Sequence, residues 1–247
     1  MEELDLKRDL DGVRACYRAS VSGHNGPIDS DEDDWWPDRI LGQWFSSDVQ
    51  RAVVARGPDG VEGYASFTYG PATGAIDFNY SVVCRHLVAS TIEGMTSLLS
   101  YFRGFRGLGV HLRFTGQPAT PLALLVEEQR VLPAWAYRWM LRLVDVPAAL
   151  AGRGYPPLSV SFDLTVEDGL FPENRGPWRV SVSEGSASVE PGSASGGAAI
   201  SIGTLSSLYS GFLSAWDAAA LGLIEPSMAP ALASVFGGPA PWMYDFF

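Results

Sequence analysis

The sequence predicts an α+β protein of two regions, and three observations carry that prediction. Short β-rich runs alternate with amphipathic helical stretches through residues 1–140. A second block, 141–247, opens on alternating strands such as "LSVSFDLTV" and closes on three short helical stretches. With 47% hydrophobic and 12% aromatic residues, a chain of 247 residues has apolar surface enough for a core in each region.

The first region starts on a short strand, "EELDL". A helix follows, with Asp9 or Asp11 as its cap and Leu10, Val13, Cys16 and Tyr17 at helical spacing. "GHNGPIDSDEDDWW" reads as a loop by its Gly, Pro and acidic content. "WWPDRILGQWF" starts a helix capped by Asp33 or Asp34, where acidic side chains favour the positive end of the helix dipole. In "RAVVARGPDGVEGYASFTYG" the central "GPDG" is turn chemistry between two β-rich runs, which predicts a hairpin. "AIDFNYSVVCRHLVAS" adds one or two strands. Ser90 and Glu93 have capping-box spacing ahead of an apolar stripe of Ile92, Met95, Leu98, Leu99 and Phe102. "GVHLRF" is a strand and "PLALLVEEQR" a short helix. Gly104, Gly107 and Gly109 spell G-x-x-G-x-G, but they follow a helix and enter a strand. A phosphate cradle leaves a strand and opens a helix, so these glycines predict a tight turn.

In the second region "RWMLRLV" reads as a strand, and Asp145 caps a short helix with Pro147 in its first turn. Leu158, Val160, Phe162, Leu164 and Val166 fall on one face of the next strand. "WRVSV" and "AAISIG" alternate in the same way, while "SEGSASVEPGSASGG" between them reads as a low-complexity surface excursion. Three helices close the chain, with Thr204 and Ser227 as caps of the first and third, and Gly237 and Gly238 as the final stop.

The formal net charge is -11, which argues against nucleic acid and anionic membranes as partners and suits cationic small molecules. No apolar run reaches the roughly 18 residues that a spanning helix needs. The polar start "MEELDLKRDLDG" is no signal peptide, so a cytoplasmic location is expected. Cys16 and Cys84 stand far apart without a motif, and His24, His86 and His111 have no metal-ligand spacing; no metal site is expected. The acidic run holding Glu32 and Asp34 is a candidate contact for a cationic substrate. Trp36 is a candidate pocket wall, as are Trp242 and Tyr244 in the aromatic ending "APWMYDFF". Asp245 is a candidate acid or base in the same ending.

"RLVDVPAALAGRGY", "DDWWPDRIL", "HLVASTIEGMTSLLSYF" and the ending "ALASVFGGPAPWMYDFF" resemble the Eis-type (enhanced intracellular survival) GNAT N-acetyltransferases over essentially the whole chain. The resemblance implies two tandem GNAT-like regions and a last domain similar to sterol carrier proteins. Here the chain would start at the second GNAT-like region, so that residues 1–140 are a degenerate GNAT-like region and 141–247 a sterol-carrier-protein-like domain. The first, acetyl-CoA-binding region would be missing. The resemblance also makes the terminal carboxylate of Phe247 the general base, held by the aromatic tail. "HLVASTIEGM" carries neither the Arg/Gln nor the glycines of the family's cofactor loop, and Glu93 there repels anions. The chain alone is therefore expected to bind no cofactor, and acetyl-CoA is expected only with a partner GNAT chain.

Three functions follow as expectations. The first is an acetyltransferase-related protein acting on an amine small molecule with that partner. The second is a biosynthetic enzyme independent of acetyl-CoA that uses Asp245 and Phe247. The third is a non-catalytic binder of an apolar ligand, its wall drawn from Leu158, Val160, Phe162, Leu208, Tyr209, Phe212 and Phe236. The resemblance also implies self-association into a homo-oligomer.

Overall fold

The structure, a computed structural model, describes the chain except for residues 33, 43–49, 73–77, 118–119, 127–129, 194–197 and 246–247. It forms two compact units, Met1–Pro133 together with the tail from Trp242 on, and Ala134–Pro241. The tail therefore packs with the first unit, whereas the sequence reading counts it with the second region.

The first unit runs β1 (Glu2–Glu3), α1 (Leu6–Val21), α2 (Trp35–Leu41), β2 (Arg51–Gly57), β3 (Gly60–Pro71), β4 (Tyr80–Ala89), α3 (Ile92–Arg103) and β5 (Gly109–Phe114). The strands form one sheet in the order β1-β2-β3-β4-β5. All neighbours are antiparallel except β4 and β5, and a parallel pair needs a crossover, which α3 supplies. Both faces of the sheet are covered, which is why β2 is an unbroken apolar run. Ala52 and Val54 face Val13, Tyr17 and Trp36, while Val53 and Ala55 face Leu98 and Phe102. β4 carries an extra residue, Arg85: Ser66 pairs with His86 but Phe67 pairs with Cys84. Such a bulge re-aims side chains, and it leaves Tyr64, Ser66 and His86 together on the α1–α2 face.

Several local expectations shift. α1 starts earlier than predicted, because Asp5 caps it through a bond from the Lys7 amide. Asp9 instead sits in the first turn and accepts from Arg8 and Arg56. Asp34 holds the cap position of α2 without a side-chain cap bond, and Asp33 lies outside the described residues. Thr91 rather than Ser90 caps α3, with Oγ1 accepting from the Gly94 amide. "PLALLVEEQR" yields only a 3-10 turn, Pro121–Leu124. The Gly104–Leu108 stretch is a turn, as its place after a helix predicts.

The second unit runs α4 (Val146–Gly152), β6 (Val160–Glu167), β7 (Gly176–Ser183), β8 (Ser186–Pro191), β9 (Ala198–Ser201), α5 (Ile202–Ser210), α6 (Ala215–Ala220) and α7 (Ala229–Phe236). Its sheet order is β8-β7-β6-β9, with β6 and β9 parallel. Leu164, Val166, Val180, Val182, Leu205, Leu208 and Leu232 fill its core. "RWMLRLV" is irregular rather than a strand. Part of "SEGSASVEPGSASGG" is β8, because Glu184 and Gly185 both adopt positive φ (49° and 82°) and close a hairpin that packs Ala187 and Val189 on the core. Ser201 rather than Thr204 caps α5, and Ser227 falls in a 3-10 turn ahead of α7. Of the proposed apolar wall, Leu208 and Phe236 are core, Leu158, Val160, Phe162 and Tyr209 pack against it, and Phe212 is exposed.

Candidate functional site

The residues that sequence reasoning singled out in the tail meet a seat on the α1–α2 face of the first unit. The seat begins with α2, where Arg39 follows Trp35 by four residues and Trp36 by three, and so shares their face. Arg39 is 2% exposed. Its guanidinium lies 4.1 Å from the Trp35 ring and 4.8 Å from the Tyr17 ring. One terminal nitrogen donates to the Ile28 carbonyl at 2.7 Å. The other donates to the Tyr17 hydroxyl at 2.9 Å and to Asp245 Oδ2 at 2.6 Å. A buried arginine is held here by ring faces and by an acid 206 residues away in sequence.

Next to Asp245, Tyr244 lies flat on the His86 ring with centroids 4.9 Å apart, and tilts against Tyr17 at 6.1 Å. Trp242 meets Tyr244 edge-on at 4.6 Å, and its amide donates to the Asn25 carbonyl at 3.0 Å. That close approach explains Gly26, whose φ is +105° and whose missing Cβ would stand 2.4 Å from the Trp242 carbonyl oxygen. Beneath Tyr244, His86 Nδ1 shares a 3.1 Å hydrogen bond with the Tyr64 hydroxyl. His86 Nε2 and Ser66 Oγ are buried and have no hydrogen-bond partner among the described residues.

Burial governs the titration of this cluster. It pushes the Asp245 carboxyl up, against the pull of Arg39 and Arg85. It holds His86 well below the ordinary histidine value, with Arg39 and Arg85 acting the same way. It raises the Tyr17 phenol to about 12, offset in part by Arg39, and raises Tyr64 and Tyr244 as well. At neutral pH the cluster therefore holds a neutral imidazole and neutral phenols around one buried Arg–Asp pair.

The structure thus gathers Trp36, Trp242, Tyr244 and Asp245, with Tyr17 and Arg39 linking them. Trp36 is fully buried, edge-on to Tyr17, and its indole N–H donates to the Ser30 carbonyl at 3.0 Å. Glu32 and Asp34 are exposed on the loop ahead of α2. Phe247 lies outside the described residues. Sequence reasoning missed Arg39, Tyr17, His86 and Tyr64. Only Arg39 carried a signal, a lone cation on the tryptophan face of α2.

The first turn of α3 is where a GNAT-type pyrophosphate cradle would form, and its groups are committed elsewhere. Ser90 donates to the Glu62 carbonyl through both its amide, at 2.9 Å, and its hydroxyl, at 3.3 Å. The Thr91 hydroxyl donates to Glu62 Oε2 at 3.2 Å. The absent Cβ of Gly94 would lie 2.4 Å from the Glu62 carbonyl oxygen, so the β3 backbone already closes on this turn. With Glu62 beside it and Glu93 within it, this helix end does not fit an anionic cofactor.

Residues 29–143 match the model of an acetyltransferase (GNAT) domain, and residues 146–244 match that of a sterol carrier protein domain. An uncharacterised N-acetyltransferase of Streptomyces coelicolor is 31% identical over 245 residues, 95% of this chain and 58% of that protein. Among solved structures, a GCN5-related N-acetyltransferase from Anabaena variabilis matches with a TM-score of 0.87 and 24% identity, covering 100% of this chain and 62% of its own. One from Kribbella flavida gives 0.79 and 24%, covering 100% and 59%. Eis1 from Mycobacterium abscessus gives 0.72 and 24%, covering 99% and 61%. The chain spans about three fifths of the length of each of these relatives. Among the described residues no helix is long and apolar enough to cross a membrane. The chain is accordingly a mixed α/β protein related to the GNAT N-acetyltransferases, in which a GNAT-like region is followed by a sterol-carrier-protein-like domain.

Proposed function

We propose that this chain is an Eis-type, acetyltransferase-related protein that acts on an amine small molecule together with a separate GNAT chain. Its own GNAT-like unit serves as the seat of the C-terminal tail, and acetyl-CoA arrives on the partner. The observation that carries this reading is the anchor of Asp245 on buried Arg39, which holds the tail two residues ahead of Phe247. A carboxylate works as a general base only where its position is held, and in this reading the carboxylate of Phe247 is the base that takes the proton from the attacking amine. The acidic groups at the first turn of α3 favour a cofactor site elsewhere. Glu32 and Asp34, exposed on an acidic protein, attract a cationic substrate.

A second reading rests on His86. A buried neutral imidazole whose Nε2 has no hydrogen-bond partner among the described residues, bonded to Tyr64 and stacked on Tyr244, which precedes an Asp245 carboxyl pushed up by burial, is acid–base equipment that needs no acetyl-CoA. One experiment separates the two: calorimetric titration of the chain with acetyl-CoA, then an acetyl-transfer assay on an aminoglycoside and a polyamine with and without a candidate GNAT chain. The first reading expects no heat from the chain alone and transfer only in the mixture. Micromolar binding by the chain alone overturns the need for a partner. No transfer in any mixture leaves the His86 reading.

A further inference from the structure

Arg153 lies in the second unit, at the C-cap of α4, within the segment "RLVDVPAALAGRGY". The other charges of that segment are accounted for. Asp145 caps α4 through the Ala148 amide at 2.9 Å, and Arg142 pairs with buried Asp168 at 2.5 Å. Arg153 has no acid among the described residues. Three aromatic rings surround its guanidinium instead: Tyr155 of the loop after α4 at 5.9 Å, Tyr209 of α5 at 5.2 Å and Phe236 of α7 at 5.2 Å. One terminal nitrogen donates to the Tyr209 carbonyl. The Tyr155 hydroxyl donates to the Leu150 carbonyl at 2.6 Å, so only its ring faces the cation. Nε is buried and has no hydrogen-bond partner among the described residues.

A guanidinium offers two bidentate faces, one at its end and one along its side through Nε and the nearer terminal nitrogen. Here the end is engaged by Tyr209, and the ring contacts stabilise the positive charge without accepting a hydrogen bond. The side edge is left over. An unsatisfied buried donor on a charged group costs more than the roughly 1–3 kcal/mol of a neutral one, so an edge of this kind is a place where an acceptor is expected. The chain has 28 acidic against 17 basic residues, yet among the described residues the groups around this guanidinium are rings and a backbone carbonyl. Burial lowers the Arg153 pKa, and only the two phenols oppose it.

We propose that the side edge of Arg153, walled by Tyr155, Tyr209 and Phe236, is a binding site for the oxyanion of a small molecule, a carboxylate or a phosphate. Two oxygens of the anion accept from Nε and its neighbouring nitrogen, and the rings exclude water around the pair. This site belongs to the second unit alone, and it stands or falls apart from the seat of the tail.

The test is a titration of the full-length, 15N-labelled chain, following the Arg153 Nε–Hε resonance, which R153K identifies by its loss. Sodium acetate and inorganic phosphate are each compared with sodium chloride at equal ionic strength. A saturable downfield shift with acetate or phosphate, absent with chloride, supports the site, and the anion that saturates at lower concentration identifies the chemistry. Thermal melts give a second readout. The melting temperature of the parent protein rises saturably with that anion, and R153K, which keeps the charge but loses the fork, needs at least tenfold more. A resonance that moves no more with acetate and phosphate than with chloride overturns the proposal. So does an R153K chain stabilised at the same concentrations as the parent. Should R153K fail to fold, assignment proceeds through selective arginine labelling, and the resonance titration of the parent decides.

Discussion

Replacing Arg39 with methionine tests the seat of the tail most directly. The substitution keeps an unbranched apolar stem on the Trp35–Trp36 face but removes the charge. Four interactions go with it: the 2.6 Å pair with Asp245, the bonds to Ile28 and Tyr17, and the cation held over the rings. Asp245, 13% exposed at its side chain, is then left as a buried carboxylate without its partner. Breaking a buried pair from one side costs about 3–5 kcal/mol. At 1.4 kcal/mol per decade that is roughly two to three and a half decades in the opening equilibrium. A domain holds about 5–15 kcal/mol in total, so R39M leaves the first unit folded but weakened. Urea unfolding measures the cost, with hydrogen exchange at the Trp242 amide, which bonds Asn25, reporting on the tail itself. The double variant R39M/D245N should recover part of the loss, because no buried charge remains. A cost for R39M below about 1 kcal/mol, the size of an exposed ion pair, would refute the reasoning. So would a double variant no more stable than R39M.

Three further outcomes are expected. Gly26→Ala places a Cβ 2.4 Å from the Trp242 carbonyl oxygen at a φ of +105°, so it should cost about 1–3 kcal/mol and raise exchange at the Trp242 amide first. His86 is held neutral below its ordinary value of 6.5, so an unfolded chain binds a proton there before the folded one does. Stability of the first unit should therefore fall as pH drops below 6.5, by up to about 1.4 kcal/mol per pH unit, and H86F should flatten that slope in urea titrations between pH 6.5 and 5. Asp168 works at lower pH. Burial raises its pKa, but the Asn174 amide, the Leu170 and Phe171 amides and Arg142 outweigh burial and set it at about 2, below the ordinary 3.8. Its contribution is then complete above about pH 4 and is lost as pH falls toward 2, and D168N should remove that acid-limb dependence from thermal melts of the second unit.

Much of the fold was legible in the sequence because it rests on neighbours. Turn chemistry at "GPDG", the apolar stripe of α3, the Asp145 cap and the alternation in β6 are all local patterns, and each element formed where its pattern lay. Where local signals competed, tertiary context chose: Asp5 won the cap of α1, Ser201 the cap of α5, and a Ser-rich stretch became β8 once its alternate alanine and valine met the core. The stretch "APWMYDFF" and its Asp245 were legible as candidates because aromatic side chains crowd around one acid there.

What the ending rests on was decided by the tertiary structure. Asp245 and Arg39 are 206 residues apart, and Tyr244 finds His86 only because a bulge at Arg85 turns that histidine to the α1–α2 face. Likewise Arg153 reads in sequence as one charge among several, and only the packing of α5 and α7 shows that rings surround it. Periodicity and capping depend on spacing along the chain, so the sequence alone determined them. Charge pairing, burial and the titration they impose depend on distances through space, and those exist only once the chain has folded.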